Sequence, residues 1–230
     1  MLDMVSSGGY MYGVLDTVSS RSEPAGSPSR GRILDAALSL IESRGGADVT
    51  MAEIAAAAGL SRQAVYLHFS DRAELLLALV RHVDEKRGLG RELRKVLEAP
   101  SGTEALAEIV ALQARMNPRV WAVARALDAV RRSDPEVERS WQDRLANRLR
   151  GCRDIVGRLA REGKLRPGLG EREAADLLWS LTSLRTWEDL VLERRWTPAQ
   201  YRERLTALLR ETLTVAKRRR ASTAPRVRAT

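Results

Sequence analysis

Residues 50–74 read TMAEIAAAAGLSRQAVYLHFSDRAE. Thr50 stands three residues before Glu53, a Thr-x-x-Glu pattern in which a side-chain oxygen and a carboxylate cap the first turn of a helix. Ile54, Ala55 and Ala58 continue that helix, and Gly59 is the residue type that closes one in the left-handed conformation. Leu60 follows as an apolar pin, and Ser61 caps a second helix over Arg62–His68. Two short helices, a tight Gly-containing turn and small residues at the crossing predict a helix-turn-helix. On the second helix Arg62, Gln63, Tyr66 and His68 point outward, while Val65 and Phe69 can point in. The outward types are those that hydrogen-bond phosphates and base edges.

The flanking residues complete a three-helix head. Ile33, Ala36, Ala37, Leu40 and Ile41 recur at helical spacing from about Arg30 to Arg44, where Gly45-Gly46 stops the helix. Asp71, with Glu74 three residues on, predicts a second capping box for a fourth helix running to Gly88. Arg32-Ile-Leu-Asp-Ala-Ala, the run from Thr50 to Phe69, and Arg72-x-Glu-Leu-Leu together resemble the DNA-binding domain of TetR-family transcriptional regulators over residues 30 to 87. The resemblance implies an all-α protein, with an N-terminal three-helix helix-turn-helix domain and a C-terminal helical domain for ligand binding and dimerisation. It implies phosphate contacts from Thr50, Tyr66, His68 and Arg72, and base contacts from Arg62 and Gln63. Ser61 and Arg32 complete the expected DNA-contacting set. Leu67 departs from the aromatic frequent at that position and removes one expected phosphate contact.

The remainder reads as amphipathic helices. Residues 1–28 are rich in Ser and Gly and read as a disordered leader, followed by the head over 29–87, a second domain over 88–216 and a basic tail over 217–230. Within the second domain, Asn117-Pro118 predicts a break between two helices. Val137, Trp141, Leu145, Leu149, Cys152, Val156 and Leu159 predict one long helix with a single buried stripe, and Glu171–Arg195 predicts another. Between Asp176 and Glu188 the only charge is Arg185, so that helix needs cover on more than one face. Trp179, Thr182, Ser183 and Thr186, with Leu205 and Leu209 of the last helix, are the predicted homodimer seam. Gln113, Met116, Trp121 and Trp141 are the predicted lining of a largely apolar effector pocket.

Net charge is +9, yet residues 29–87 carry eight basic and eight acidic side chains. DNA binding is therefore argued from where the arginines sit and not from bulk basicity. One cysteine, Cys152, permits no intrachain disulfide, which suits a reducing compartment and predicts a cytoplasmic protein. No apolar run is long enough to span a membrane. His68 and His82 are the only histidines, and no zinc spacing, phosphate loop or nucleophile elbow occurs. No metal or cofactor is implied, and an enzyme or small-molecule carrier has little support. The predicted function is a sequence-specific regulator, released from a double-stranded operator by a small ligand. A ligand-independent regulator or activator is the alternative.

Overall fold

The computed structural model describes residues 27–46 and 48–215; residues 1–26 of the expected leader and the basic tail lie outside the described residues, and the leader's expected last residue, Pro28, instead opens the first helix. The elements are α1 (Pro28–Ser43), α2 (Met51–Ala58), α3 (Arg62–His68), α4 (Arg72–Lys86), α5 (Leu89–Leu97), α6 (Gly102–Arg131), α7 (Pro135–Arg161), α8 (Glu171–Leu181), α9 (Leu184–Trp187) and α10 (Pro198–Leu213). A six-residue π-helical stretch, Glu188–Glu193, continues α9. The protein is all-α: among the described residues the one extended pairing is an isolated bridge between Leu165 and Thr214.

Two apolar cores organise the chain. The first joins Ile33, Ala37 and Ile41 of α1 to Ile54, Val65 and Phe69 of the helix-turn-helix and to Leu75, Leu76 and Leu79 of α4. Ala122, Val123, Ala126 and Leu127 from the far half of α6 enter the same core, so the head is packed directly on the body. The joint is close: Gly46 has φ +84°, and a Cβ there would lie 2.6 Å from the carbonyl oxygen of Ala122. The second core lies among α5, α6, α7, α8 and α10 and holds Leu106, Val110, Val156, Leu178, Tyr201 and Leu209.

Two sequence expectations about helix ends fail. Asn117-Pro118 does not break the chain, because α6 runs unbroken from Gly102 to Arg131 with Pro118 exposed inside it. Pro118 supplies no N–H to the Ala114 carbonyl, but buried residues on either side, Met116 and Val123 among them, hold the helix together by packing. Conversely, the helix expected over Glu171–Arg195 stops at Leu181. Thr182 turns its hydroxyl back to the Leu178 carbonyl at 2.6 Å, and Ser183 Oγ accepts from the Thr186 amide at 3.0 Å, capping a new start.

Helix α4 is tied on two sides. His82 and Lys86 both reach Asp35 of α1, and Arg87 donates to Glu42 of α1 at 2.8 Å. On its other side Asp84, only 7% exposed, accepts from Arg144 of α7 at 2.8 Å. Removing one member of such a pair strands the other charge, whereas removing both does not. Arg144→Met should therefore cost about 3 kcal/mol or more, and adding Asp84→Leu should restore much of it. A double-mutant cycle by urea unfolding measures this, and simple additivity of the two losses would refute it.

Candidate nucleic-acid interface

The helix-turn-helix head is built by side-chain caps on backbone amides. Thr50 Oγ1 accepts from the Glu53 amide at 3.3 Å, while the Glu53 carboxylate accepts from the Thr50 amide and hydroxyl, each at 2.8 Å. Gly59 closes α2 at φ +66°, and the Leu60 amide reaches back to the Ala55 carbonyl at 2.9 Å. Ser61 Oγ accepts from the Ala64 amide at 3.1 Å and starts α3. Buried Val65 and Phe69 anchor that helix from beneath. The expected second capping box differs in detail. Asp71 does cap α4, accepting from the Glu74 amide at 2.8 Å, but the Glu74 carboxylate accepts from the Ser70 amide and hydroxyl instead of the Asp71 amide.

This scaffold holds the outer face of α3 open. Ser61, Arg62 and Gln63 are exposed at its start, and Tyr66 is 45% exposed one turn later. His68 is half-buried at the C-terminal end. Thr50, also exposed, lies at the start of α2 with its hydroxyl held by Glu53. Arg72 is half-buried at the start of α4 and pairs with Asp48 at 2.6 Å. Asp48 is exposed, so this is a surface pair of small worth that a phosphate could replace. Arg32 is exposed on α1, with Ser29 Oγ at 3.5 Å from its guanidinium. Arg30, just before it, lies over the buried Phe69 ring at 4.9 Å, so its position is set by the head's core.

Leu67 was legible only as a departure from an aromatic position. In the structure it is 78% exposed, an apolar side chain held out on α3 between Tyr66 and His68. Its spacing from Gln63 places both on one side of the helix. Arg44 was not singled out either. It donates to Glu53 at 2.7 Å, tying α1 to the cap of α2.

The expected pocket and seam residues fare differently. Gln113 and Met116 are buried in the body, and Met116 belongs to its core. Trp141 instead packs on the first core, with Arg131 over its ring at 5.2 Å. Trp121 touches both cores, and its Nε1 donates to Glu188 at 2.6 Å. The four therefore do not form one lining, because α6 is long enough to pass from one core to the other. On the seam side, Leu205 and Leu209 are 4% and 0% exposed, and Thr182 is 1% exposed. These three are covered within the protomer and are not surface residues. The Tyr201-Leu205-Leu209-Leu213 stripe is spent on the body's own core. Trp179 is half-buried, with Arg148 over its ring at 4.8 Å. Ser183 and Thr186 are half-buried and hydrogen-bonded to each other at 3.0 Å.

Hydrogen bonds from Arg44 and from Thr50 lower the Glu53 carboxyl from 4.5 to about 2. Burial pushes the Cys152 thiol up to about 12, which makes it an inert core group. Among the described residues no group of three or more His, Cys, Asp or Glu side chains could hold a metal ion, and no helix is long and apolar enough to cross a membrane.

Residues 33–79 match the model of the tetR family of bacterial regulatory proteins. The HTH-type transcriptional regulator BetI of Brucella canis is 38% identical over 84 residues, which are 36% of this chain and 41% of that protein. The chain thus spans about two fifths of the length of the curated relatives it matches. A transcriptional regulator from Saccharomonospora viridis, solved in complex with choline, is 22% identical with a TM-score of 0.71. That likeness covers 83% of this chain and 100% of the other. The fatty acid degradation regulator FadR of Bacillus halodurans is 19% identical with a TM-score of 0.62, covering 81% and 96%. At such identities the structural likeness speaks for the fold, and it extends through the body as well as the head.

The capping carboxylate supplies a pH prediction. A carboxyl lowered in the folded state adds stability above its unfolded value and loses it as pH falls through the folded one. The contribution of Glu53 is therefore complete above about pH 5 and lost between about 4.5 and about 2. Glu53→Gln should flatten the acid side of the stability curve in that window, as read from urea midpoints against pH. An unchanged acid limb would show that the Arg44–Glu53 pair carries no weight.

Proposed function

Because this chain belongs to the tetR family of bacterial regulatory proteins, we propose that it is a homodimeric, sequence-specific repressor released from its operator by a small ligand. The observation that carries this reading is the open outer face of α3, where Arg62, Gln63 and Tyr66 project from a helix fixed by the Ser61 cap and by buried Val65 and Phe69. Arg62 can make paired hydrogen bonds to guanine O6 and N7, and Gln63 to adenine N6 and N7. Thr50, Ser61, Tyr66 and His68 border that face, and Arg32 and Arg72 flank it, where they set the register on the phosphates. A DNA partner makes the cytoplasm its place of work.

A head with balanced charge needs a second copy to gain affinity and to read a two-fold site. The seam is drawn here on α8, α9 and the outer face of α10. Leu177, Leu181 and Leu184 are half-buried there, and Leu208 is 44% exposed. Trp179, Ser183 and Thr186 border the same surface.

Release requires the body to move the head. The candidate lever is α4, tied to α1 through Asp35 and Glu42 and to α7 through Asp84. A ligand that shifts α7 would carry Asp84 with it and change the separation of the two reading heads. To take the dimer from 99% to 1% competent, the ligand must favour the incompetent form by roughly 10⁴-fold.

Selection of bound duplexes from a random pool at about 150 mM salt tests the reading, since that salt suppresses nonspecific contacts. A two-fold-symmetric site is expected; salt-sensitive, sequence-blind binding would overturn it. On that site Arg62→Ala should weaken binding by roughly 10- to 100-fold. Tyr66→Phe should weaken it by roughly 3- to 10-fold. Neither should alter the sedimentation of the dimer, and unchanged affinity in both would displace α3 from the groove.

A further inference from the structure

The body's interior holds more hydrogen-bond donors than it uses. Tyr201 is fully buried, and its hydroxyl has no partner among the described residues. Trp187 Nε1 and Asn117 Nδ2 are in the same condition, on side chains 2% and 4% exposed. So is Arg148 Nε. All four are N–H or O–H groups, and native interiors leave few such groups bare.

Helix register brings two of them, Arg148 and Tyr201, to one level of the body, with Asn117 and Trp187 one to two turns further along. At one end of the body the Gly102 amide donates to the Glu162 carboxylate at 2.9 Å, and Gly102 sits so close to Leu159 that a Cβ would fall 2.9 Å from its amide nitrogen. At the same end the Arg166 amide donates to the Leu213 carbonyl at 2.9 Å. Gln113 of α6, Arg148 of α7 and Tyr201 of α10 each lie about eleven or twelve residues from that junction, roughly 17 Å at 1.5 Å per residue. Asn117 stands one turn further along α6. Trp187 immediately precedes Glu188, which accepts from Trp121 one more turn along.

Arg148 is the charged member. It lies over the Trp179 ring at 4.8 Å and donates to the Trp179 carbonyl, and it forms no ion pair among the described residues. Burial raises the Tyr201 hydroxyl's pKa while the Arg148 charge pulls against it, so the two are within electrostatic reach. A half-buried guanidinium near the buried Tyr201 hydroxyl, with two further bare donors in the same interior, is complementary to an anion with several acceptor lone pairs.

We propose that this level of the body is a carboxylate-binding chamber. An acidic molecule with an apolar body pairs its carboxylate with Arg148 and accepts from the Tyr201 hydroxyl, with Asn117 and Trp187 donating to its remaining acceptors. The proposal rests on the ligand-released reading and gives the effector a chemical class. It also gives the signal a route, because Arg144, one turn from Arg148 on α7, holds Asp84 of α4.

The test uses the full chain with sodium octanoate and sodium phenylacetate, each against its methyl ester, read by thermal unfolding and tryptophan fluorescence. At least one carboxylate is expected to bind saturably, with its ester at least tenfold weaker. Arg148→Met should lose at least tenfold in affinity, and Arg148→Lys should recover part of it. Tyr201→Phe should weaken binding about fivefold while leaving the ligand-free midpoint unchanged or raised. Failure of both acids to bind, esters equal to acids, or full affinity in Arg148→Met would overturn the chamber. A lowered ligand-free midpoint in Tyr201→Phe would overturn it too, by showing the hydroxyl already occupied by internal water. Should Arg148→Met not fold, Arg148→Lys and Tyr201→Phe both binding like the wild type would have the same force. Operator retention in the same samples separates the two readings. Carboxylate binding without DNA release supports the chamber and sinks the released repressor. Release by a ligand indifferent to Arg148 does the reverse.

Discussion

The contact between Asp84 and Arg144 is where head and body meet as charges and not only as packed surfaces. Asp84 is almost fully buried, and a carboxylate in that position is tolerable only while its partner stays within hydrogen-bond reach. Packing alone would let α4 slide over α6 and α7 at small cost, since apolar contact has little directionality. A largely buried ion pair has few acceptable geometries, which ties the position of α4 to that of α7. The ties to Asp35 and Glu42 on the other side carry the same motion into α1. A helix fixed at both flanks by charge can transmit a small displacement that a greasy interface would absorb.

The head was almost wholly legible in the sequence because its structure is local. A cap three residues from its partner, a left-handed glycine and a second cap are all contained within 25 residues, and each works through contacts a few residues apart. The body was legible only in part. Periodicity found the long α7 and the α10 stripe, yet assigned Leu205 and Leu209 to a seam between subunits. An apolar stripe states that something covers it and does not say what. Here the cover is the protomer's own core, reached through long-range packing that spacing does not encode.

The two misjudged helix ends have opposite causes. Pro118 is a strong local stop, and it was overridden because the residues around it bury enough surface to hold one rod through both cores. Thr182 and Ser183 are weak local signals, and they prevailed because a hydroxyl bonded to the preceding turn and another capping the next together satisfy the interrupted backbone. Local chemistry thus yields where tertiary burial is large and rules where polar groups can be satisfied on the spot. The continuous α6 matters beyond the helix count, since it is the element that makes the two cores share one rod.

That shared rod bears on what the body can recognise. Most apolar residues on α6 are committed to one core or the other, with Val120 and Trp121 touching both, which separates Trp141 from Met116 and dissolves the single, largely apolar pocket expected from Gln113, Met116, Trp121 and Trp141. What distinguishes the interior chemically is its surplus of donors, and a surplus of donors is the complement of an acceptor. A purely apolar ligand would leave Arg148, Tyr201, Asn117 and Trp187 no better satisfied than before, so its binding would gain only from contact area. An acid would gain from each of them, and most from the charged one, because that interaction strengthens as water is excluded. The same exclusion would couple binding of such an acid to α7, one turn from the residue that holds α4. Affinity for an acid and leverage over the reading head would then arise from one stretch of one helix.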